Sequence, residues 1–287
     1  MEHDLLKYIE ERMPTFSKGQ KLIAGYVLEH YDKAAYMTAS KLGALVNVSE
    51  STVVRFAIEL GFDGYPALQR SLQEFIRNRL TAVQRMEVTN NLIGDGDILR
   101  NVLLSDAEKI KHTLENIDRD SFERAVDKII DADNVYIIGV RSSSSLANFL
   151  NFNLSMIRER VQFVQTTSGS EMFEKILRIS ANDVMIAISF PRYSNGIINA
   201  VGYAKESGAD VIALTDSTSS PIAAHADELL IAKSDMASFV DSLVAPLSII
   251  NALIVAISKK KQDELNVVFE KLENIWDEYN VYDKSHG

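Results

Sequence analysis

The stretch Val184–Ser207, VMIAISFPRYSNGIINAVGYAKES, decides how the rest of the chain is read. Val184 to Ser189 is a short apolar block rich in branched residues, of strand rather than helix length. Residues 190–194 break it, and from Asn195 to Ser207 the apolar positions return at helical spacing. A buried strand feeding a helix N-terminus is the unit of open parallel sheets, which place their ligands at that junction. A phosphate site made of backbone amides wants Gly or Ser in such a turn. This turn holds Pro191, Arg192 and Tyr193 instead.

Outward from it, the second half of the chain repeats the same texture. Strands are expected at Val135–Val140, Val161–Gln165, Val184–Ser189, Val211–Thr215 and Glu228–Ala232. Helices are expected at Ser143–Ile157, Glu171–Ile179, Asn195–Ser207 and, briefly, near Pro221–His225, with two more, Phe239–Ser258 and Gln262–Tyr279, closing the chain. Apolar strands alternating with helices of this length imply an α/β domain of three layers, a five-stranded parallel sheet covered on both faces with right-handed crossovers. Asp106–Asp131 reads as one or two amphipathic helices. Residues 81–107 read as a linker carrying some helix, because Thr89-Asn90-Asn91 and Gly94-Asp95-Gly96 interrupt the pattern. Residues 1–80 show helical spacing throughout and no strand-like alternation, which predicts an all-α head.

Composition narrows the class. The chain has 287 residues, 46% of them hydrophobic, enough for one large or two modest domains with real cores. No apolar run reaches the ~20 residues that span a bilayer, and the charged start carries no signal peptide, so a cytoplasmic protein with no membrane partner is expected. The absence of cysteine excludes disulfides, thiolate metal sites and a cysteine nucleophile. Five scattered histidines, His3, His30, His112, His225 and His286, give no zinc-ligand spacing, and neither metal nor cofactor is expected. The net charge of −10 is uneven: residues 1–80 hold 10 Lys+Arg and 10 Asp+Glu, leaving 20 against 30 for the remainder. A neutral head on an acidic chain hints at two separate tasks.

The head contains ASKLGALVNVSESTVVRFAIELGF, Ala39 to Phe62. A helix-turn-helix needs a small residue where two helices cross, a turn residue tolerant of left-handed dihedrals, an apolar residue after it, and a capped second helix. Gly43, Asn47, Val48 and Ser49 supply these in order. Val53 and Phe56 are expected to face the bundle, and Glu50, Ser51, Thr52 and Arg55 to face outward. Ser49, Glu50, Ser51, Thr52, Arg55 and Lys41 are therefore the candidate contacts to a double-stranded DNA operator. Lys18, Lys21, Arg70, Arg77 and Arg79 are further candidates for phosphate. Read alone, the same motif also fits an αα corner with a solvated polar face.

With these residues in view, VSESTVVRFAIELGFDGYPALQ followed by a five-stranded α/β domain resembles the RpiR/MurR family of bacterial transcription regulators, over nearly the whole chain. SPIAAHADELL, Ser220 to Leu230, and the preceding GADVIALTD are similar to that family's sheet domain. The resemblance implies a helix-turn-helix head over residues 1–80, the linker at 81–107, and a SIS (sugar isomerase) domain of flavodoxin-like strand order over 108–287 that binds a phosphosugar effector and oligomerises. The family's first ligand turn resembles Gly-x-Gly-x-Ser, where this chain has Gly139-Val140-Arg141-Ser142-Ser143. The second resembles Ser-x-Ser-Gly-x-Thr, where this chain has Ser189-Phe190-Pro191-Arg192-Tyr193-Ser194. Arg141, Ser142, Ser143, Ser189, Arg192, Tyr193, Ser194 and Thr215 are the candidate ligand residues, with Ser168, Ser170, Asp235 and Ser238 as lesser ones.

Both turns thus carry arginine where the family has glycine. Strand-to-helix turns of one parallel sheet share an edge, so the two guanidinium groups can converge on one phosphate or carboxylate. Two other readings stay open here: internal ion pairs to Glu171 or Asp216, and a neutral ligand gated by Tyr193. By function, the chain reads as a DNA-binding regulator, a homodimer or homotetramer that senses an anionic sugar. The alternatives are a sugar-phosphate isomerase or lyase, for which His225 and Glu171 are the only nearby bases, and an interaction adaptor. Trp276 and Tyr279 read as core or subunit packing.

Overall fold

Helix starts in the first third of the chain are written by hydroxyl caps. The structure, a computed structural model, describes residues 5–77, 81–93, 96–166, 168–235 and 240–282. After α1 (Leu5–Arg12), a capping box of Ser17 and Gln20 opens α2 (Lys18–Glu29), and the short α3 (Tyr31–Ala34) follows. Thr38 caps α4 (Ala39–Leu45), Ser49 caps α5 (Glu50–Glu59), and α6 runs Tyr65–Arg77. Their apolar faces meet in one core of Ile9, Ile23, Val27, Leu42, Val53, Phe56, Leu68 and Leu72, with Phe16 edge-on to Phe56 at 5.3 Å.

The α4–α5 corner follows its expected chemistry. A Cβ on Gly43 would lie 2.8 Å from the Val48 carbonyl oxygen, so only glycine lets the turn pass. Asn47 takes φ +56°, the left-handed conformation that asparagine tolerates.

Tyr65 ties α6 to the α3–α4 connection. Its hydroxyl donates to the Met37 carbonyl at 2.8 Å and, more weakly, to that of Ala34 at 3.3 Å. Burial pushes its phenol up to about 12. The folded head therefore holds this proton above the ordinary phenol value near 10, and the stabilisation is complete below pH ~10 and lost as pH rises through about 12. Tyr65→Phe is expected to cost ~1–2 kcal/mol at neutral pH and to flatten the decline of urea stability measured between pH 9 and 11.5.

The remaining helices of the first half are α7 (Ala82–Ile93), within the stretch the sequence reads as a linker carrying some helix, and α8 (Ile98–Asn116), which runs from that stretch into the expected amphipathic helix. The chain divides into two units. One runs through Asn101 and includes the segment ending at Asp241; the other takes Val102–Asp235 and everything from Ser242 onward.

In the second unit, Asp118 accepts the amides of Asp120 and Ser121 to start α9 (Arg119–Asp131), so Asp106–Asp131 is two helices. The elements that follow are β1 (Val135–Gly139), α10 (Ser142–Ile157), β2 (Val161–Val164), α11 (Gly169–Ile176), β3 (Val184–Ile188), α12 (Asn195–Glu206), β4 (Asp210–Thr215) and β5 (Glu228–Ile231). α13 (Val244–Lys260) and α14 (Gln262–Glu278) complete it. The strands form one parallel sheet in the order β2-β1-β3-β4-β5, the expected flavodoxin-like order. Side chains alternate between two cores. Ile137, Ile186, Ile212 and Leu214 face α9, α10 and α13, while Ile138, Met185, Val211 and Ala213 face α11 and α12.

The helix expected from Phe239 begins only at Val244, because Asp241 and Ser242 are held in a loop by side chains of Arg85 and Asp106. Phe239 itself lies outside the described residues. Trp276 is half-buried and edge-on to Tyr282 at 5.3 Å, whereas Tyr279 is exposed rather than in a core.

Candidate functional site

The strand order reverses direction at β1 and β3: α10 leaves β1 on one face of the sheet and α12 leaves β3 on the other. That is the topological switch point of an open parallel sheet, the crevice where such folds bind ligands. Gly139 pairs with Ile188, and Ile188 with Leu214, so the turns after β1, β3 and β4 start level with one another. Adjacent strands are about 4.8 Å apart, and the turn carrying Arg141 is thereby set beside the one carrying Arg192.

Each turn is shaped for close approach. A Cβ on Gly139 would meet the Ser143 carbonyl oxygen at 2.8 Å, so the missing side chain lets α10 start directly over the end of β1. Arg141 then takes φ +56°, ψ −128° at the N-cap of α10, a backbone region costly for any residue but glycine. Neither Arg141 nor Ser194, the N-cap of α12, makes a side-chain cap bond. The first turns of both helices therefore lack a side-chain cap, although the Ser144 amide donates to the Arg141 carbonyl at 3.1 Å; uncapped helix N-termini of this kind suit an anion.

Both arginines are exposed, and among the described residues neither side chain forms a hydrogen bond or ion pair. The acids offered by the sequence as internal partners are engaged elsewhere. Asp216 accepts the Tyr193 hydroxyl at 2.7 Å, which ties the turn after β3 to the turn after β4. Glu171 accepts the Thr166 hydroxyl at 2.6 Å and pairs with Lys175 at 3.2 Å; those hydrogen bonds hold its exposed carboxyl below the usual range.

The hydroxyls fall into two sets. Ser143 and Ser189 are buried at the mouths of their turns, with Ser142 exposed and Ser194 half-buried beside them. Thr215 is fully buried, and its hydroxyl lies 2.8 Å from that of Ser220 and 3.3 Å from Asp216, so it supports the site from beneath. Ser168 and Ser170 bond to each other at 2.9 Å, Asp235 pairs with Lys233 at 3.2 Å, and Ser238 lies outside the described residues. His225 packs near Gly202, seven residues into α12 and so ~10 Å from its N-terminus. The Tyr193–Asp216 bond escaped the sequence reading, since Thr215-Asp216 at a strand end signals a polar turn without naming its partner.

On the helical unit, Lys41, Glu50, Ser51 and Arg55 are exposed on one corner. Ser49 spends its oxygen on the cap, accepting the Thr52 amide at 3.3 Å and lying 2.8 Å from the hydroxyls of Ser51 and Thr52. Thr52 is half-buried, its methyl close to Gly19. Arg55 Nε donates to the Ser51 carbonyl at 3.2 Å, which leaves its terminal nitrogens outward. Glu59, an acid on this helix, is neutralised by Arg12 at 3.1 Å. Lys18, Lys21 and Arg70 are exposed; the side chain of Arg77 and all of Arg79 lie outside the described residues. Among the described residues no helix is long and apolar enough to cross a membrane.

Comparison with known proteins matches the two domains. Residues 3–79 match the helix-turn-helix domain of the rpiR family, and residues 128–256 match the SIS domain. The HTH-type transcriptional regulator HexR of Pseudomonas aeruginosa is 24% identical over 225 residues, 77% of this chain and 75% of HexR. The sugar isomerase domain of an RpiR transcription factor from Sphaerobacter thermophilus has a TM-score of 0.58 at 29% identity, covering 61% of this chain and 97% of that one. Vibrio vulnificus NanR, solved in complex with ManNAc-6P, shares the fold at a TM-score of 0.59 and 23% identity over 96% of this chain and 98% of its own. With the head and the sheet each matched to its own domain and in this order, the chain belongs to the RpiR family of transcriptional regulators, a helix-turn-helix domain followed by a SIS domain.

Proposed function

We propose that the head, residues 1–80, binds an operator in double-stranded DNA, and that the SIS domain, residues 108–287, binds an anionic sugar, phosphosugar or sugar acid, whose occupancy alters that binding. Two arginines without an internal partner, side by side at the switch point and flanked by two uncapped helix N-termini, support the anion. NanR, which shares the fold, was solved with a phosphorylated sugar. Arginine forks grip phosphate and carboxylate alike, so both ligand classes fit. Operator contacts are assigned to Lys41, Glu50, Ser51 and Arg55, with Ser49 and Thr52 chiefly holding the helix start. A neutral head binds phosphates weakly by itself, and a homodimer or homotetramer doubles that term. The assignment as a regulator and not an isomerase rests on the bases: Glu171 is paired with Lys175, and His225 lies down the flank of α12.

A thermal-shift screen of phosphosugars, sugar acids and their neutral parents tests the anion. A ligand at ~100 times its Kd adds about 2.7 kcal/mol, so anionic sugars are expected to raise Tm by several degrees and Arg192→Ala, which binds ~10- to 100-fold more weakly, to cut the rise to about half or less. Equal stabilisation of both proteins by neutral sugars would remove the anion site.

A further inference from the structure

Asp241 and Ser242 are consecutive residues held by different helices. The Asp241 carboxylate pairs with Arg85 of α7 at 3.1 Å, both within the helical unit, and the two side chains are only 8% and 4% exposed. Ser242, in the sheet unit, donates its hydroxyl to Asp106 of α8 at 2.7 Å and its amide to the Asp235 carbonyl at 3.0 Å; its own carbonyl accepts the buried Ser234 hydroxyl at 3.0 Å. Asp106 is in turn braced by Lys109, and α8 accepts the Lys233 amide through Thr113 at 2.9 Å. The β5–α13 connection is therefore fixed to α7 at one residue and to α8 at the next.

The same connection leaves the sheet at the ligand edge. Ile231 is level with Thr215, and the Ala232 amide donates to the Thr215 carbonyl at 2.8 Å. Thr215 is followed by Asp216, which holds Tyr193 beside Arg192. A run of hydrogen bonds and peptide bonds thus leads from the turn after β3, through 215–216 and 232–235, to Ser242, Asp241 and Arg85. An ion pair this deeply buried tolerates little displacement, so it is either made or broken, as a switching contact must be.

We infer that the β5–α13 connection carries effector occupancy to the helical unit, with Arg85–Asp241 as the clasp that passes it to α7. The inference rests on the reading that an anion binds at the arginine turns.

Hydrogen exchange on the full chain, with and without saturating inorganic phosphate, tests it in wild type, Arg85→Met and Asp241→Asn. In wild type, phosphate is expected to slow exchange in the turns after β1 and β3 and, by roughly fivefold or more, in α7. In each variant the turns still respond and α7 does not. A response of α7 that persists in the variants, or its absence in a wild type whose turns respond, overturns the clasp. If the wild-type turns ignore phosphate, the anion site fails instead, and the clasp is judged without ligand. Arg85→Met is then expected to speed exchange roughly fivefold at Ala232–Asp235 and Ser242 as well as in α7, and acceleration confined to α7 overturns it. Should a single variant not fold, Arg85→Met combined with Asp241→Leu fills the buried site without charge and is read by the same outcomes.

Discussion

With Arg141 and Arg192 both changed to alanine, the effector is expected to bind about a thousandfold more weakly. Each charge-assisted contact contributes ~1.5–3 kcal/mol, so together they supply ~4 kcal/mol, and each 1.4 kcal/mol is tenfold in Kd. Each single variant is expected to lose ten- to a hundredfold. Calorimetric titration with the most stabilising sugar of the screen measures this, with its neutral parent as control. Arg192→Lys restores the charge without the planar fork and should recover only part of the affinity. A double variant within threefold of wild type would place the anion elsewhere on the chain.

Gly43→Val is expected to destabilise the head by ~3 kcal/mol and to weaken operator binding more than a hundredfold. Its Cβ would press the Val48 carbonyl oxygen at 2.8 Å, a backbone atom that moves only if the turn moves, and valine adds two further methyl groups. α4 and α5 then cross at a different angle, and Lys41, Ser51 and Arg55 no longer share one corner. Anisotropy with a duplex selected in vitro by the wild-type protein reads the affinity. A retained thermal shift with the effector shows that the sheet unit is intact. Wild-type affinity in this variant would mean that the corner relaxes at little cost.

Much of this architecture could be read from the chain alone, for identifiable reasons. β1 and β3 are buried on both faces and so appear as unbroken apolar runs between breaks. The helix-turn-helix was legible because Gly43, Asn47 and Ser49 each meet a local need that few other residues satisfy. What escaped depends on partners distant in sequence. Val240 to Leu247 continues an apolar helical pattern, yet Asp241 is held by a residue 156 positions away and Ser242 by one 136 away. Residues 81–107 read as a linker carrying some helix because Thr89-Asn90-Asn91 and Gly94-Asp95-Gly96 interrupt the pattern, and the exposed Leu99 and Leu103 of α8 blur it further. At the site, the sequence placed both arginines at one edge but left internal pairing open. The positions of Glu171 and Asp216 decided against it, and no local spacing foretells that Asp216 accepts the Tyr193 hydroxyl.

If Arg141 grips the anion as proposed, its positive-φ backbone sets heat tolerance against sensing. Glycine there would relieve about 1–3 kcal/mol of strain, so thermal selection on this chain, whether in a hot habitat or in a directed-evolution campaign scored by residual fold, pushes toward glycine at 141. Arginine persists only under selection for what its side chain does. A lineage that had lost its sugar would be expected to shed this residue early, which makes position 141 a record of whether the sensor is still in use.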